Sequence, residues 1–304
     1  MISSKLESYS NLELAVVYSV LTREEWLTVA AIDRCLTILE ALAGEREPIE
    51  LTDLANRLGM PASAVHRTLT TLVSRGWVLQ HSGTQRYALS LRMSTLAFRN
   101  LDVRAVPDVV QSVLDKLARE TREYCRLAIV EGEDLVWVAR AQGAVTGLRY
   151  DPEMGQEIVL HATANGKAWL STLPESEALR IVCARGFGAR RPLGPNSATN
   201  VDEFRARLVE TRERGYGTSI EEAEAGTGAV AVPFFNGVGP DAPVAGTMSV
   251  AGPLVRITPE RYEELATALK KAAVEVAEIW SLRSRQRGYQ PAVTAPRPQA
   301  PAEV

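Results

Sequence analysis

From Leu51 to Leu89 the chain reads LTDLANRLGMPASAVHRTLTTLVSRGWVLQHSGTQRYAL, and the spacing of its apolar positions shifts from a helical to an alternating period. Leu54, Ala55 and Leu58 share one face of a short helix. Thr52 is its candidate N-cap, and Gly59 stands where a helix ends in a left-handed residue. Pro61 fits the first turn of a second helix, in which Ala62, Val65, Leu69, Leu72 and Val73 form an apolar stripe. At about 100° per residue, Ser63, Arg67, Thr70 and Ser74 point the other way, with His66 on the flank. Gly76 closes this helix, and Trp77-Val78-Leu79, Ser82-Gly83-Thr84 and Arg86-Tyr87-Ala88-Leu89 read as strand, turn and strand. Two short helices, a tight turn and a β-ribbon outline a winged helix-turn-helix. The outward face of its second helix, small hydroxyls plus one guanidinium, suits a major groove.

A preceding helix from about Val29 to Ala43, with Ile32, Cys35, Ile38, Leu39 and Leu42 on one side, completes a three-helix core. From Leu91 to about Glu123 the pattern stays helical, but Pro107 must break it into a linker helix and a new domain's first helix, buried through Val109, Val110, Val113, Leu114 and Leu117. Arg126 to Ala141 then reads as a hairpin around Glu131-Gly132-Glu133-Asp134. Further strands are expected at Thr146–Tyr150, Tyr216–Ile220, Ala229–Phe235 and Val244–Val250. Helices are expected at Ala164–Thr172, Glu175–Ala184, Val201–Arg214 and Pro259–Arg283, the last opened by the pair Thr258-Pro259. Such interleaving suggests an α+β domain on a largely antiparallel sheet, able to hold a ligand against one face.

Charge sharpens this picture. No carboxylate occurs between Asp53 and Asp102, whereas Arg57, Arg67, Arg75, Arg86, Arg92 and Arg99 fall in that interval. The whole chain carries a formal charge of -3, so the segment is a basic patch on an acidic protein rather than part of a general polyanion binder. Ordinary surface arginines of a small helical domain are the competing reading.

The 304 residues suffice for two domains. Cys35, Cys125 and Cys183 are odd in number and lack CxxC spacing, which suits reduced thiols in a cytoplasm and argues against a disulfide scaffold or zinc site. No apolar run reaches the roughly 18 residues of a membrane span, and Leu14–Leu21 is poorly flanked for a signal segment. Residues 1–27 read as an extension of unassigned role. The stretch after Trp280, rich in Pro and Ala, reads as a disordered tail whose Arg283, Arg285 and Arg287 could touch nucleic acid nonspecifically.

Taken in order, AIDRCLTILEALA, LTDLANRLGMPASAVHRTLTTLVSRGWV, YALSLRM, LHATANGKAWL, RERGYGTSIEEAEAG, AVAVPFF and TMSVAGPLVRIT resemble the landmarks of the IclR family of bacterial transcriptional regulators, over roughly Val29 to Trp280. The resemblance implies dimers, often paired into tetramers, that bind pseudo-palindromic operators in double-stranded DNA and respond to a small-molecule effector. It implies a reading helix from Pro61 to Arg75, with Ser63, His66, Arg67 and Thr70 nearest DNA and Thr52, Arg75 and Arg86 as further contacts. Arg67 is the first choice for an essential contact, since a guanidinium clamps phosphate or reads guanine in bidentate fashion. Arg86, in the wing, would hold the backbone.

The same resemblance places the effector at Tyr150, Thr163, Ala164, Asn165, Ser219, Ala229, Ser249 and Ala251, with backbone N–H groups near Ala164 facing a ligand carboxylate and Asn165 adding a side-chain donor. A plain helix start packed on the sheet is the alternative for that loop. The chain departs from the family at Ser219, where many members are acidic, at Ala229, where many carry Cys, and at Ala251, where many carry a second serine. A less polar pocket follows, suited to an apolar or aromatic body with one anionic end.

The architecture expected is thus α+β: an extension (1–27), a winged helix-turn-helix domain (28–90), a linker helix (91–106), a mixed α/β effector-binding and oligomerisation domain with a GAF/PAS-like antiparallel sheet (107–283), and a tail (284–304).

An enzyme is the rival class. His66 and His81 lie in the DNA reader, and His161 in LHATANGKA has no nucleophile-elbow neighbour, so it reads as structural and bonded to backbone. Glu221, Glu222 and Glu224 lack a histidine partner and read as a solvated face or subunit contact rather than a metal site. Lys167 has no GxxxxGK frame, which excludes a P-loop. No catalytic residue, metal or cofactor is expected. A ligand-independent dimerisation module remains a third possibility.

Overall fold

The structure, a computed structural model, describes residues 30–104, 106–152, 155–189, 191–237 and 242–287. The extension and the tail beyond residue 287 lie outside these residues. The chain divides into two compact units at Asn100/Leu101.

In the first unit α1 (Ala30–Ala43), α2 (Leu51–Arg57) and α3 (Ala62–Ser74) precede a ribbon of β1 (Val78–Gln80) and β2 (Tyr87–Leu89). Ile38, Leu42, Leu54, Val65, Leu69, Leu72 and Val78 form its core. Gly59 and Gly76 take φ of 61° and 72°, where L side chains are strained and glycine is not. After α2 the N–H groups of Gly59 and Met60 donate to the carbonyls of Asn56 and Ala55. After α3 those of Gly76 and Trp77 donate to Val73 and Leu72. Both ends are therefore Schellman closures, which satisfy carbonyls that would otherwise be orphaned.

Several local expectations are corrected. Thr52 is not a cap: α2 begins at Leu51 with Glu50 in the N-cap position, because the Glu50 carbonyl already accepts from Leu54 N–H at 3.1 Å. Thr52 sits exposed in the first turn. In α3 it is Ala64, not Ala62, that is buried. Ile32 is exposed, since the first turn of α1 extends past the core. The wing also gains a bridge that local pattern did not show: Ile49 and Tyr87 exchange backbone bonds of 2.9 and 2.8 Å.

Helix α4 (Arg92–Arg104) contains the unit boundary and is followed by α5 (Val106–Thr121), with Pro107 in its first turn. The second unit continues with β3 (Tyr124–Glu131), β4 (Asp134–Gln142), α6 (Ala164–Leu170), α7 (Glu175–Arg185), α8 (Val201–Arg214), β5 (Gly217–Ile220), β6 (Thr227–Phe235), β7 (Val244–Pro253) and α9 (Pro259–Arg287). Its five strands form an antiparallel sheet in the order β4-β3-β7-β6-β5. Strand alternation sorts the two faces. Cys125, Leu127, Ile129, Val230, Val232, Phe234, Met248 and Val250 pack with α5 and α9 through Val110, Val113, Leu114, Leu117, Leu265, Leu269 and Val276. The side chain of Val109 lies outside the described residues.

Residues 146–150 form no strand. Gly147 turns the chain at φ 78°, and Tyr150 is tied instead by its carbonyl, which accepts from Gln142 Nε2 at 2.9 Å. Helix α9 runs to Arg287, four residues beyond its expected end, so Arg283, Arg285 and Arg287 lie on helix.

Candidate nucleic-acid and effector sites

On α3, Ser63, His66, Arg67, Thr70 and Ser74 are all exposed, as are Arg75 at the C-cap and Arg86 in the wing. The hydroxyls of Thr70 and Thr71 turn back onto the carbonyls of His66 and Arg67, which fixes their rotamers and leaves a low-relief surface. Acidic residues just outside the carboxylate-free interval fold back onto it. Glu45 pairs with Arg57, and Glu50 with Arg86 at 2.9 Å. Arg67 and Arg75 pair with no carboxylate among the described residues. Two arginines of the basic interval are thus held by acidic neighbours, while Arg67 and Arg75 at the second reading helix keep their charge exposed.

In the second unit register assembles the other site. Ser219, Ala229, Ala251 and Tyr124 stand side by side across β5, β6, β7 and β3, and the adjacent row on the same face is Gly217, Ala231, Ser249 and Arg126. Helix α6 lies over this face, its Ala164 and Ala168 packed on Ala231 and Ala229. Gly217 permits that approach, because a Cβ there would stand 2.4 Å from the Ala164 carbonyl oxygen.

Most polar groups expected at this site are already committed. Thr163 caps α6, its Oγ1 accepting from Gly166 N–H at 3.1 Å. Asn165 Nδ2 donates to Thr247 Oγ1 at 2.9 Å, and Ser219 Oγ donates to the Ala162 carbonyl at 2.8 Å. The half-buried Tyr150 donates from its hydroxyl to Glu224 at 3.3 Å. Ser249 Oγ differs: it is buried without a hydrogen-bond partner among the described residues.

Two features around this face escaped sequence reasoning. Arg126 is buried, with its guanidinium 3.8 Å from the Trp137 ring centroid and 5.5 Å from that of Tyr124, and its Nε has no partner. The alternation of Tyr124, Arg126 and Ala128 against Cys125, Leu127 and Ile129 was the signal that could have found it. Glu222 is buried rather than solvated, which corrects the expected acidic face. It accepts from Lys167 Nζ at 2.6 Å on each oxygen and also from Arg207. Desolvation requires such a carboxylate to be paired. Burial also pulls the Lys167 ammonium down to about 8, against the raising influence of Glu222.

His161 packs edge-on against Phe187, with ring centroids 5.2 Å apart, and makes a hydrogen bond with that residue's backbone. Burial, together with the nearby charges of Lys167 and Arg207, pushes its pKa down to about 4. Its imidazole is neutral at pH 7. Cys35, Cys125 and Cys183 are free thiols. Among the described residues no group of His, Cys, Asp and Glu is arranged to hold a metal, and no helix is long and apolar enough to cross a membrane.

A winged helix-turn-helix followed by a helix-covered antiparallel sheet defines a DNA-binding transcriptional regulator with an effector-binding domain. Residues 31–82 match the IclR helix-turn-helix domain, and residues 96–278 match the bacterial transcriptional regulator IclR C-terminal domain. The chain belongs to the IclR family. It is 31% identical to the acetate operon repressor of Salmonella typhimurium over 82% of this chain and 89% of that one. Among solved structures, an IclR transcriptional regulator from Alicyclobacillus acidocaldarius superposes with a TM-score of 0.68 at 28% identity, covering 84% of this chain and 99% of that chain. An IclR homolog from Microbacterium hydrocarbonoxydans, complexed with 4-hydroxybenzoate, shares the fold at TM-score 0.64 and 22% identity, covering 83% and 99%. The first two of these relatives are described as a repressor and a transcriptional regulator.

Proposed function

We propose that this regulator controls a catabolic operon from the cytoplasm as a homo-oligomer, dimer or tetramer, whose heads read a pseudo-palindromic operator and whose sheet domain senses a small organic acid with an apolar or aromatic body. The domain bounds proposed are 28–90 for reading, 91–106 for linking, 107–283 for sensing and assembly. The observation that carries the reading role is the outward face of α3. There Arg67 stands free of any described carboxylate between small hydroxyls, so it can meet a phosphate or a guanine edge without first breaking an ion pair. Ser63, His66 and Thr70 flank it. Thr52, Arg75 and Arg86 would hold the DNA backbone, which sets register rather than sequence.

The sensing role rests on the two sheet rows. Alanines at positions 229 and 251 keep their row small and apolar, and beside it Thr163 caps α6, Asn165 ties that helix to β7, and Ser219 ties β5 to the Ala162 carbonyl just before it. An acid bound there shifts DNA affinity by no more than its preference between the conformations it joins.

The test is fluorescence anisotropy of the purified protein on its own upstream region and on scrambled DNA of equal length, with and without benzoate, 4-hydroxybenzoate and glyoxylate. The reading expects preference for the upstream region, altered by an aromatic acid. Equal, weak binding to every duplex overturns the operator role. Preference unaffected by any acid points to a ligand-independent DNA-binding dimer, and turnover of an acid to an enzyme.

A further inference from the structure

We propose that Arg126 is the anion anchor of the sensing face: its guanidinium, with the Ser249 hydroxyl beside it, takes the carboxylate of a small monocarboxylic acid whose body lies along Tyr124, Ala251 and Ala229. This inference rests on the effector reading above and gives it a chemistry.

Arg126 and Ser249 are direct register partners on β3 and β7. Each is at least nine-tenths buried, and each presents an unpartnered polar atom, Nε and Oγ. Buried donors without acceptors are uncommon and costly, and a buried cation without a counter-ion is more so. No carboxylate among the described residues forms an ion pair with Arg126. It hydrogen-bonds the Tyr150 hydroxyl, itself bonded to Glu224, so between Arg126 and that acid stands a neutral group. Arg191 adds a second positive charge to the same surroundings. Desolvation weakens the hold on the Arg126 proton, yet a guanidinium has no accessible neutral form and stays charged.

The Trp137 ring supports the guanidinium plane at 3.8 Å, a stacking contact that fixes its orientation before any ligand arrives. Planar, charged and pre-oriented, the group matches a carboxylate in bidentate fashion. Two further side-chain donors of this face are already committed: Asn165 serves Thr247, and Ser219 serves the Ala162 carbonyl. Arg126 and Ser249 instead carry buried polar atoms left without a partner among the described residues, and these are offered to an incoming carboxylate. A neutral ligand would leave the cation as uncompensated as before, which selects for acids.

The experiment is isothermal titration of the full-length wild type, Arg126→Gln, Arg126→Lys and Ser249→Ala with 4-hydroxybenzoate and with its neutral counterpart 4-hydroxybenzamide, with melting of the ligand-free proteins as the folding control. The expected result is binding of the acid but not the amide by the wild type. Arg126→Gln is expected to lose about 30-fold or more in affinity for the acid, Arg126→Lys to lose less, and Ser249→Ala to lose about fivefold. Wild-type affinity of both Arg126 variants for the acid overturns the anchor while leaving the effector reading in place. If Arg126→Gln does not fold, equal binding of acid and amide by the wild type, or full acid affinity in Arg126→Lys, overturns it instead. Failure of the wild type to bind this acid, benzoate and glyoxylate alike overturns the effector reading and the anchor together.

Discussion

Lys167 Nζ lies 2.6 Å from each carboxylate oxygen of Glu222, and both side chains are buried although 55 residues separate them in the chain. The pair ties α6, which covers the sheet face, to the segment leaving β5. Arg207 on α8 closes the group from the far side. Breaking such a pair from one end leaves a buried charge partly compensated, which typically costs 3–5 kcal/mol, whereas replacing both ends with apolar groups is often close to neutral. Lys167→Met is therefore expected to lower stability by about 3 kcal/mol, and the double variant Lys167→Met, Glu222→Met to recover at least half of that. Urea unfolding midpoints of the two variants check this; a double variant less stable than the single one would contradict it.

His161 makes stability depend on acid. Its native pKa of about 4 lies below the ordinary value of 6.5, so as pH falls the unfolded chain takes up this proton first. The native state loses stability from pH 6.5 downward, until both states are protonated below about pH 4. Between pH 8 and pH 5 the loss attributable to this residue is about 2 kcal/mol. His161→Gln should flatten that part of the pH–stability curve, measured by urea unfolding. An unchanged slope would mean that other groups carry it.

Gly217 lets α6 approach the sheet. A methyl group added there would meet Ala164 O at 2.4 Å and Ala168 N at 2.9 Å. Both are backbone atoms and cannot swing aside. Gly217→Ala is expected to cost about 1–3 kcal/mol, seen as a lower melting temperature, and to weaken acid binding by displacing α6. Wild-type melting would show that the helix is held less closely than these distances imply.

Arg67→Ala is expected to abolish preference for the operator while leaving the melting temperature within about 1 °C of wild type, since the side chain is exposed. The wild type should also lose affinity steeply between 50 and 200 mM salt, because released counter-ions drive phosphate binding. Anisotropy titrations at several salt concentrations check both points.

Glu50 restrains Arg86 through a 2.9 Å ion pair on the surface. Such a pair contributes little to stability, but under the proposed reading it withholds a positive charge from DNA. Glu50→Gln should tighten binding to all duplexes alike and steepen the salt dependence by about one phosphate contact. Tightening confined to one sequence would place Arg86 at a base edge instead.

The reading unit was largely legible in local pattern. Gly59, Pro61 and Gly76 punctuate it, and helical spacing marks Leu54, Val65, Leu69 and Leu72 as core. The expected Val201–Arg214 helix matches the structure at both ends, because Asn200 caps it and Gly215 turns out of it in the left-handed region. Pattern failed at Thr146–Tyr150, where β propensity had no neighbouring strand to pair with. It also failed at Glu222, where a run of acidic residues suggested water and the fold supplied Lys167 and Arg207.

The sequence alone determined most of the helices and strands, Thr146–Tyr150 and the far end of α9 excepted, and that a basic, hydroxyl-bearing helix faces outward. These properties follow from backbone sterics and periodicity within a few turns of chain. Only the tertiary structure decided that Arg126 lies beside Ser249, that Lys167 meets Glu222, and that Glu50 restrains Arg86. Each depends on strand register or on packing between distant segments, and the cost of burying polar groups selects such pairings only once the chain has closed on itself.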